Sequence, residues 1–93
     1  MAKQVTVKFQ AMYREIVGKR EIVQTIDSES TLRDLLDALA KNYGGDFNDI
    51  VHPKTGQITI DSWVMVNGRS VRKTDIRLSE DDLVYIGVPM GGG

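Results

Sequence analysis

One helix dominates the hydrophobic pattern of this chain, and almost everything else that repeats does so with the period of a strand. Leu32, Leu35, Leu36, Leu39 and Tyr43 recur at helical spacing and make one apolar stripe, with Arg33, Asp37 and Lys41 off it. Ser30 or Thr31 supplies an N-cap, and Asp34, three residues after Thr31, makes an acidic variant of the capping box. Gly44 stands where a left-handed C-cap belongs. A lone amphipathic helix must bury its stripe against another element. In a chain of 93 residues whose other regular segments are strands, that element is a sheet.

The strands can be placed on either side of the helix. Val5, Val7 and Phe9 alternate with Gln4, Thr6 and Lys8, so this segment buries one face. Residues 11–17 read as one or two helical turns or a loop, ended by Gly18. Ile22, Gln24 and Ile26 alternate with Glu21, Val23 and Thr25, close enough in sequence to pair antiparallel with the first strand. After the helix the pattern weakens. Phe47, Ile50 and Val51 suit a short helical turn, residues 52–56 a turn, and Ile58 and Ile60 an alternating pair. Trp63 to Val66 is a strong β segment, and Asn67-Gly68 favours a two-residue hairpin into a short strand from Arg69. Ser79 to Asp82 is a polar turn, and Leu83 to Val88 is an aliphatic final strand, stopped by Pro89. The expected class is α+β in the β-grasp order: a mixed sheet of four to five strands covered by one main helix. Its first and last strands run parallel at the sheet centre.

Composition narrows the chemistry. An apolar fraction of 41% and a charged fraction of 27% are ordinary for one globular domain. A domain this small buries roughly 60–65% of the surface of its unfolded chain, which leaves little room for a deep catalytic cavity. The net charge of −1 gives no general attraction to nucleic acid or an anionic membrane. With no cysteine, disulfides, thiolate metal sites and a thiol nucleophile are excluded. No leader-like apolar segment opens the chain and no stretch approaches the roughly 18 residues that would span a bilayer, so a cytoplasmic protein is expected. His52, the only histidine, precedes Pro53 in a turn and reads as a surface residue. Glu80, Asp81 and Asp82 read as a solvated turn, and no metal site is expected. No nucleotide-binding, hydrolase or metalloprotease motif is present, so no independent catalytic activity and no bound cofactor are expected.

Residues 89–93 are a different matter. Gly91, Gly92 and Gly93 add no side-chain burial and carry the largest ordering entropy, so the fold does not need them. They follow a core strand at once, through a stiff apolar neck of Val88, Pro89 and Met90. A tail without side chains can thread a narrow channel in a partner and present its carboxylate there. A carboxylate is a poor electrophile until activated, which implies a nucleotide-using partner that forms an acyl-adenylate. The expected organisation is a folded domain over 1–88 and a flexible tail over 89–93.

Several features taken together resemble one family. They are the strand and helix order, Arg14-Glu15-Ile16-Val17-Gly18, the helix from Thr31 through Leu35, Leu36 and Leu39, and Val66-Asn67-Gly68-Arg69. The approach from Leu78 through Asp81 and Asp82 to Leu83 and Val84, and the terminal Gly-Gly, complete the set. The chain is similar to the MoaD/ThiS family of ubiquitin-like sulfur carriers over nearly its whole length. Within it, the resemblance is strongest to the small subunits of molybdopterin synthase and their archaeal relatives. The resemblance implies that an activating enzyme uses ATP and Mg to adenylate Gly93. A sulfur donor enzyme then supplies the sulfur of a C-terminal thiocarboxylate, and a MoaE-like large subunit receives the tail and uses that sulfur to build a dithiolene. Partner contacts fall to Val88, Pro89, Met90, Gly91, Gly92 and, by the same resemblance, Arg14. Family tails commonly carry two prolines; the tail here has one, Pro89, with Gly87 before Val88 and a third terminal glycine.

Three readings follow. The chain is a sulfur carrier for cofactor or tRNA-thiolation chemistry, a modifier joined through Gly93 to lysines of other proteins, or an interaction domain with an inert tail. The first two need a recognition surface, expected on the solvent face of the sheet among Val23, Met65 and Tyr85. Trp63 is expected to pack on the sheet.

Overall fold

The computed structural model describes residues 2–89. Its framework is a five-stranded sheet formed by β1 (Ala2–Phe9), β2 (Glu21–Asp27), β3 (Trp63–Val66), β4 (Arg69–Val71) and β5 (Leu83–Gly87). The strand order is β2-β1-β5-β3-β4. β1 and β5 pair in parallel at the centre, from Thr6 opposite Leu83 to Phe9 opposite Ile86, and the other pairings are antiparallel. The mixed sheet with its covering helix is the α+β, β-grasp arrangement expected from the sequence.

The covering helix is α2 (Leu32–Tyr43), the second of the chain after a short α1 (Met12–Val17). Thr31 and Asp34 close the capping box: the Asp34 amide donates to the Thr31 hydroxyl and the Thr31 amide to the Asp34 carboxylate. Leu32, Leu35, Leu36 and Leu39 are buried against Val5, Val7, Phe9, Val64, Val84 and Ile86 from the inner face of the sheet. Gly44 ends the helix differently from the expected cap. Its φ of 119° suits glycine, but its ψ of 169° is extended, not left-handed helical. The chain therefore turns out of α2 into a 3-10 helix, Gly45–Ile50. There Phe47 enters the core and meets the rings of Phe9, Tyr13 and Tyr43 at centroid distances of 5.8, 5.4 and 6.4 Å.

The alternating reading of Ile58 and Ile60 does not hold. Residues 57 and 58 make only isolated bridges, and the chain turns at Ile60 and Asp61. Ile58 is buried while Ile60 is 77% exposed. The Asn67-Gly68 hairpin forms as expected, both residues at positive φ (52° and 83°) and Val66 opposite Arg69.

The acidic turn does more than sit in water. Glu80 accepts the Gln4 amide at 2.9 Å, and Asp82 accepts the Ser79 amide at 2.7 Å and the Asn67 side-chain amide at 2.8 Å. These bonds pin the start of β5 to β1 and to the hairpin. Among the described residues no cluster of carboxylates and histidines could hold a metal ion, and no helix is long and apolar enough to cross a membrane.

Candidate functional site

Parallel pairing decides where the tail leaves. β1 and β5 run the same way, so β5 ends beside the point where β1 passes into α1. The Gln10 amide donates to the Ile86 carbonyl at 3.0 Å and carries the pairing one step past β1. Gly18, at φ 81°, then ends α1 as a left-handed cap, and the chain returns as β2. The elements nearest the exit are therefore α1, the start of β2 and the start of β3. Val88 is half-buried against the core and Pro89 is exposed. Met90, Gly91, Gly92 and Gly93, named above for tail chemistry and partner contact, lie outside the described residues.

Two concavities flank the exit. One, of about 470 Å³, is lined by Lys8, Phe9, Gln10, Arg14, Arg20, Glu21 and Tyr85. Arg14 thus stands at the tail exit, with Arg20 and Lys8 lining the same hollow. The second, of about 350 Å³, is lined by Ile60, Ser62, Trp63, Ser70, Arg72 and Pro89. Trp63 is half-buried, and its indole N–H donates to the Ser70 hydroxyl at 2.7 Å, which holds the ring on the open face of the sheet. It packs on the sheet as expected and also faces the base of the tail.

The strand register separates the expected apolar patch into parts. Met65 and Tyr85 are direct partners on β3 and β5 and are half-buried. Val23 is 62% exposed but lies on β2, opposite Thr6. Thr6 and Lys8 of β1 stand between it and the Met65–Tyr85 pair. The apolar surface next to the tail is therefore Met65, Tyr85, Trp63, Ile60 and Pro89, with Lys8, Arg14, Arg20 and Arg72 as its cationic rim. Ile60, Arg20, Lys8 and Gln10 were not singled out by sequence. Ile60 was hidden by the false strand alternation, and the other three come together only once β1, β2 and β5 are paired. His52 is exposed, and its Nδ1 accepts the Lys54 amide at 3.2 Å within its own turn.

A buried lysine supports the opposite end of the sheet. Lys3 occupies a core-facing position of β1, and its Nζ donates to the carbonyls of Ser28, at 2.7 Å, and Leu78. It ties the β2–α2 loop to the segment that leads into β5, away from the tail exit.

Known proteins bear directly on this arrangement. The model of the ThiS family matches residues 7–93. Small archaeal modifier protein 3 of Haloferax volcanii is 29% identical, with 97% of this chain and 99% of that protein covered. The solution structure of the Haloferax volcanii HVO 2177 protein superposes with a TM-score of 0.83 at 26% identity, covering 99% of this chain and 88% of that one. The putative molybdopterin converting factor, subunit 1, from Pyrococcus furiosus gives a TM-score of 0.77 at 27% identity, covering 95% and 99%. The family match includes both the strands that frame the exit and the terminal glycines, and on that ground the chain belongs to the ThiS family of ubiquitin-like proteins.

Proposed function

We propose that this protein is a sulfur carrier whose reactive group is the carboxylate of Gly93. The observation that carries this reading is the match of the ThiS family through residue 93 on a chain whose tail departs from a central strand. The domain docks through the open face beside the exit. Tyr85, Met65, Trp63 and Ile60 supply apolar contact, and Lys8, Arg14, Arg20 and Arg72 meet acidic groups on the partner. Val88 and Pro89 set the root of the tail, and Met90, Gly91 and Gly92 carry Gly93 into the partner's site.

The chemistry is acyl activation followed by sulfur transfer. The Gly93 carboxylate attacks the α-phosphorus of Mg-bound ATP on an activating enzyme, and pyrophosphate leaves. A sulfide equivalent, furnished by a sulfur donor enzyme, then attacks the acyl carbonyl of the adenylate and AMP leaves, giving a thiocarboxylate. The sulfur acceptor in this reading is a dithiolene precursor held by a MoaE-like large subunit; similarity to a Pyrococcus furiosus protein named as subunit 1 of a molybdopterin converting factor supports it. No group of this chain other than the terminal carboxylate is needed for catalysis.

A second reading is favoured by the Haloferax volcanii relative, a small archaeal modifier protein. In it a lysine amine of another protein attacks the same adenylate, or a thioester formed from it, to give an amide to Gly93. The two separate in a host-cell extract supplied with ATP, magnesium and a sulfur donor. Free protein carrying sulfur, and co-purification with a large subunit, support the carrier. Higher-mass conjugates on a denaturing gel that vanish without Gly93 support the modifier. A chain that gains neither sulfur nor conjugates contradicts both.

A further inference from the structure

We propose that Gln10 is a positioning residue for the tail: its side chain, wedged over Gly87, fixes the direction in which the chain leaves β5. Its consequence for turnover rests on the carrier reading above, while its geometric content does not. Gly87 is buried and is the last residue of β5, directly opposite Trp63. Continuing the β1–β5 register by one residue places Gln10 on its other side. The row across the open face at the exit is thus Gln10, Gly87, Trp63, and the missing side chain at its centre leaves a notch.

Gln10 fills it. A Cβ added to Gly87 would stand 2.6 Å from Gln10 Oε1, 3.1 Å from its Cβ and 3.5 Å from its Cδ. The first distance is below any contact that real Cβ atoms tolerate. Glycine at 87 therefore admits this rotamer of the glutamine, and a positive φ is not the reason for it. The backbone of Gln10 is held from both sides. Its amide donates to the Ile86 carbonyl at 3.0 Å, and its carbonyl accepts the Tyr13 amide at 3.2 Å as α1 begins. The next residue, Ala11, has φ 56° and ψ −132°, a conformation that costs a residue with a Cβ and persists only where its surroundings enforce it. The strained backbone of Ala11, the filled notch at Gly87 and the root of the tail at Val88 thus lie next to one another at the end of the β1–β5 pair.

Removing the wedge frees the root of the tail and leaves in place the apolar and cationic side chains assigned to docking. In the wild type, the backbone order parameter and residual dipolar coupling of the Val88 amide, measured by nitrogen-15 NMR, follow those of β5. Gln10→Ala and Gly87→Ala lower the order parameter of Val88 and change its coupling, while Val84 to Ile86 keep theirs. Gln10→Glu, of equal length, keeps the wild-type values. Gln10 is half-buried at a strand end, so its alanine variant keeps the fold and decides the matter if Gly87→Ala does not fold. In ATP–pyrophosphate exchange with the activating enzyme, Gln10→Ala lowers kcat about tenfold with KM unchanged, the pattern of a misdirected tail on an intact docking surface. Unchanged order at Val88 in the Gln10→Ala protein overturns the proposal, as does a loss confined to KM. If the wild type itself supports no exchange, the carrier reading fails, and the Val88 comparison alone decides the role of Gln10.

Discussion

Two side chains support this fold from positions that pattern alone reads poorly. Lys3 falls on the apolar face of β1, where alternation calls for a hydrophobe. It fits because its stem lies along the core edge and its ammonium meets the Ser28 and Leu78 carbonyls. Lys3→Ala leaves two acceptors short of a charged donor and should cost about 2 kcal/mol in urea unfolding, without changing the m-value. Phe47 is the larger case. It is fully buried and touches three other rings, so Phe47→Ala should lose about 3–5 kcal/mol. A variant within 1 kcal/mol of wild type would mean that Phe47 is not the hub it occupies in the structure.

The elements differ in how much of their stability is local, and that difference decided what could be read in advance. α2 states itself, because its stripe and its cap are local in sequence. The same holds for β1, β2 and the Asn67-Gly68 hairpin. Residues 45–61 state themselves only in part. Phe47 and Ile50 are held in a 3-10 helix by packing against α2 and the rings around them, and Ile58 and Ile60 part company at a turn. The helical turn was legible from the three-residue spacing of Phe47 and Ile50; the ring contacts of Phe47 and the turn at Ile60 were not. At the candidate site, the neck residues Val88 and Pro89 were legible from the strand, proline and glycine order, and Arg14 through resemblance. Gln10, Arg20 and Lys8 needed the strand order, because only the parallel β1–β5 pairing brings β1, β2 and the tail together, while Ile60 was hidden by the apparent alternation with Ile58. The hairpin carries a test of its own. Asn67 supplies a positive-φ residue and also accepts the Leu83 amide at 2.9 Å and donates to Asp82 at 2.8 Å. If turn conformation were everything, Asn67→Gly would be neutral. The lost side-chain bonds should make it less stable by about 1 kcal/mol, read from thermal unfolding.

For the molecule as a whole, the two ends of the sheet have separate tasks. At one end, Lys3, Glu80, Asp82 and Asn67 close the loops with side-chain hydrogen bonds. At the other, the chain leaves from a central strand between two concavities, one basic and one largely apolar, with a glycine notch at its root. For the proposed carrier this division is useful, since the core fixes the point at which the chain leaves β5. The proposed function puts the chemistry on the terminal carboxylate and recognition on the open face. The measurement that tests this most directly is the intact mass of the protein after incubation with host-cell extract, ATP, magnesium and a sulfur donor, beside a form lacking Gly93. The carrier account predicts a gain equal to the mass difference between sulfur and oxygen in the full chain and no change in the truncated one. An unchanged mass in the full chain, from an extract that converts a known carrier, would contradict it.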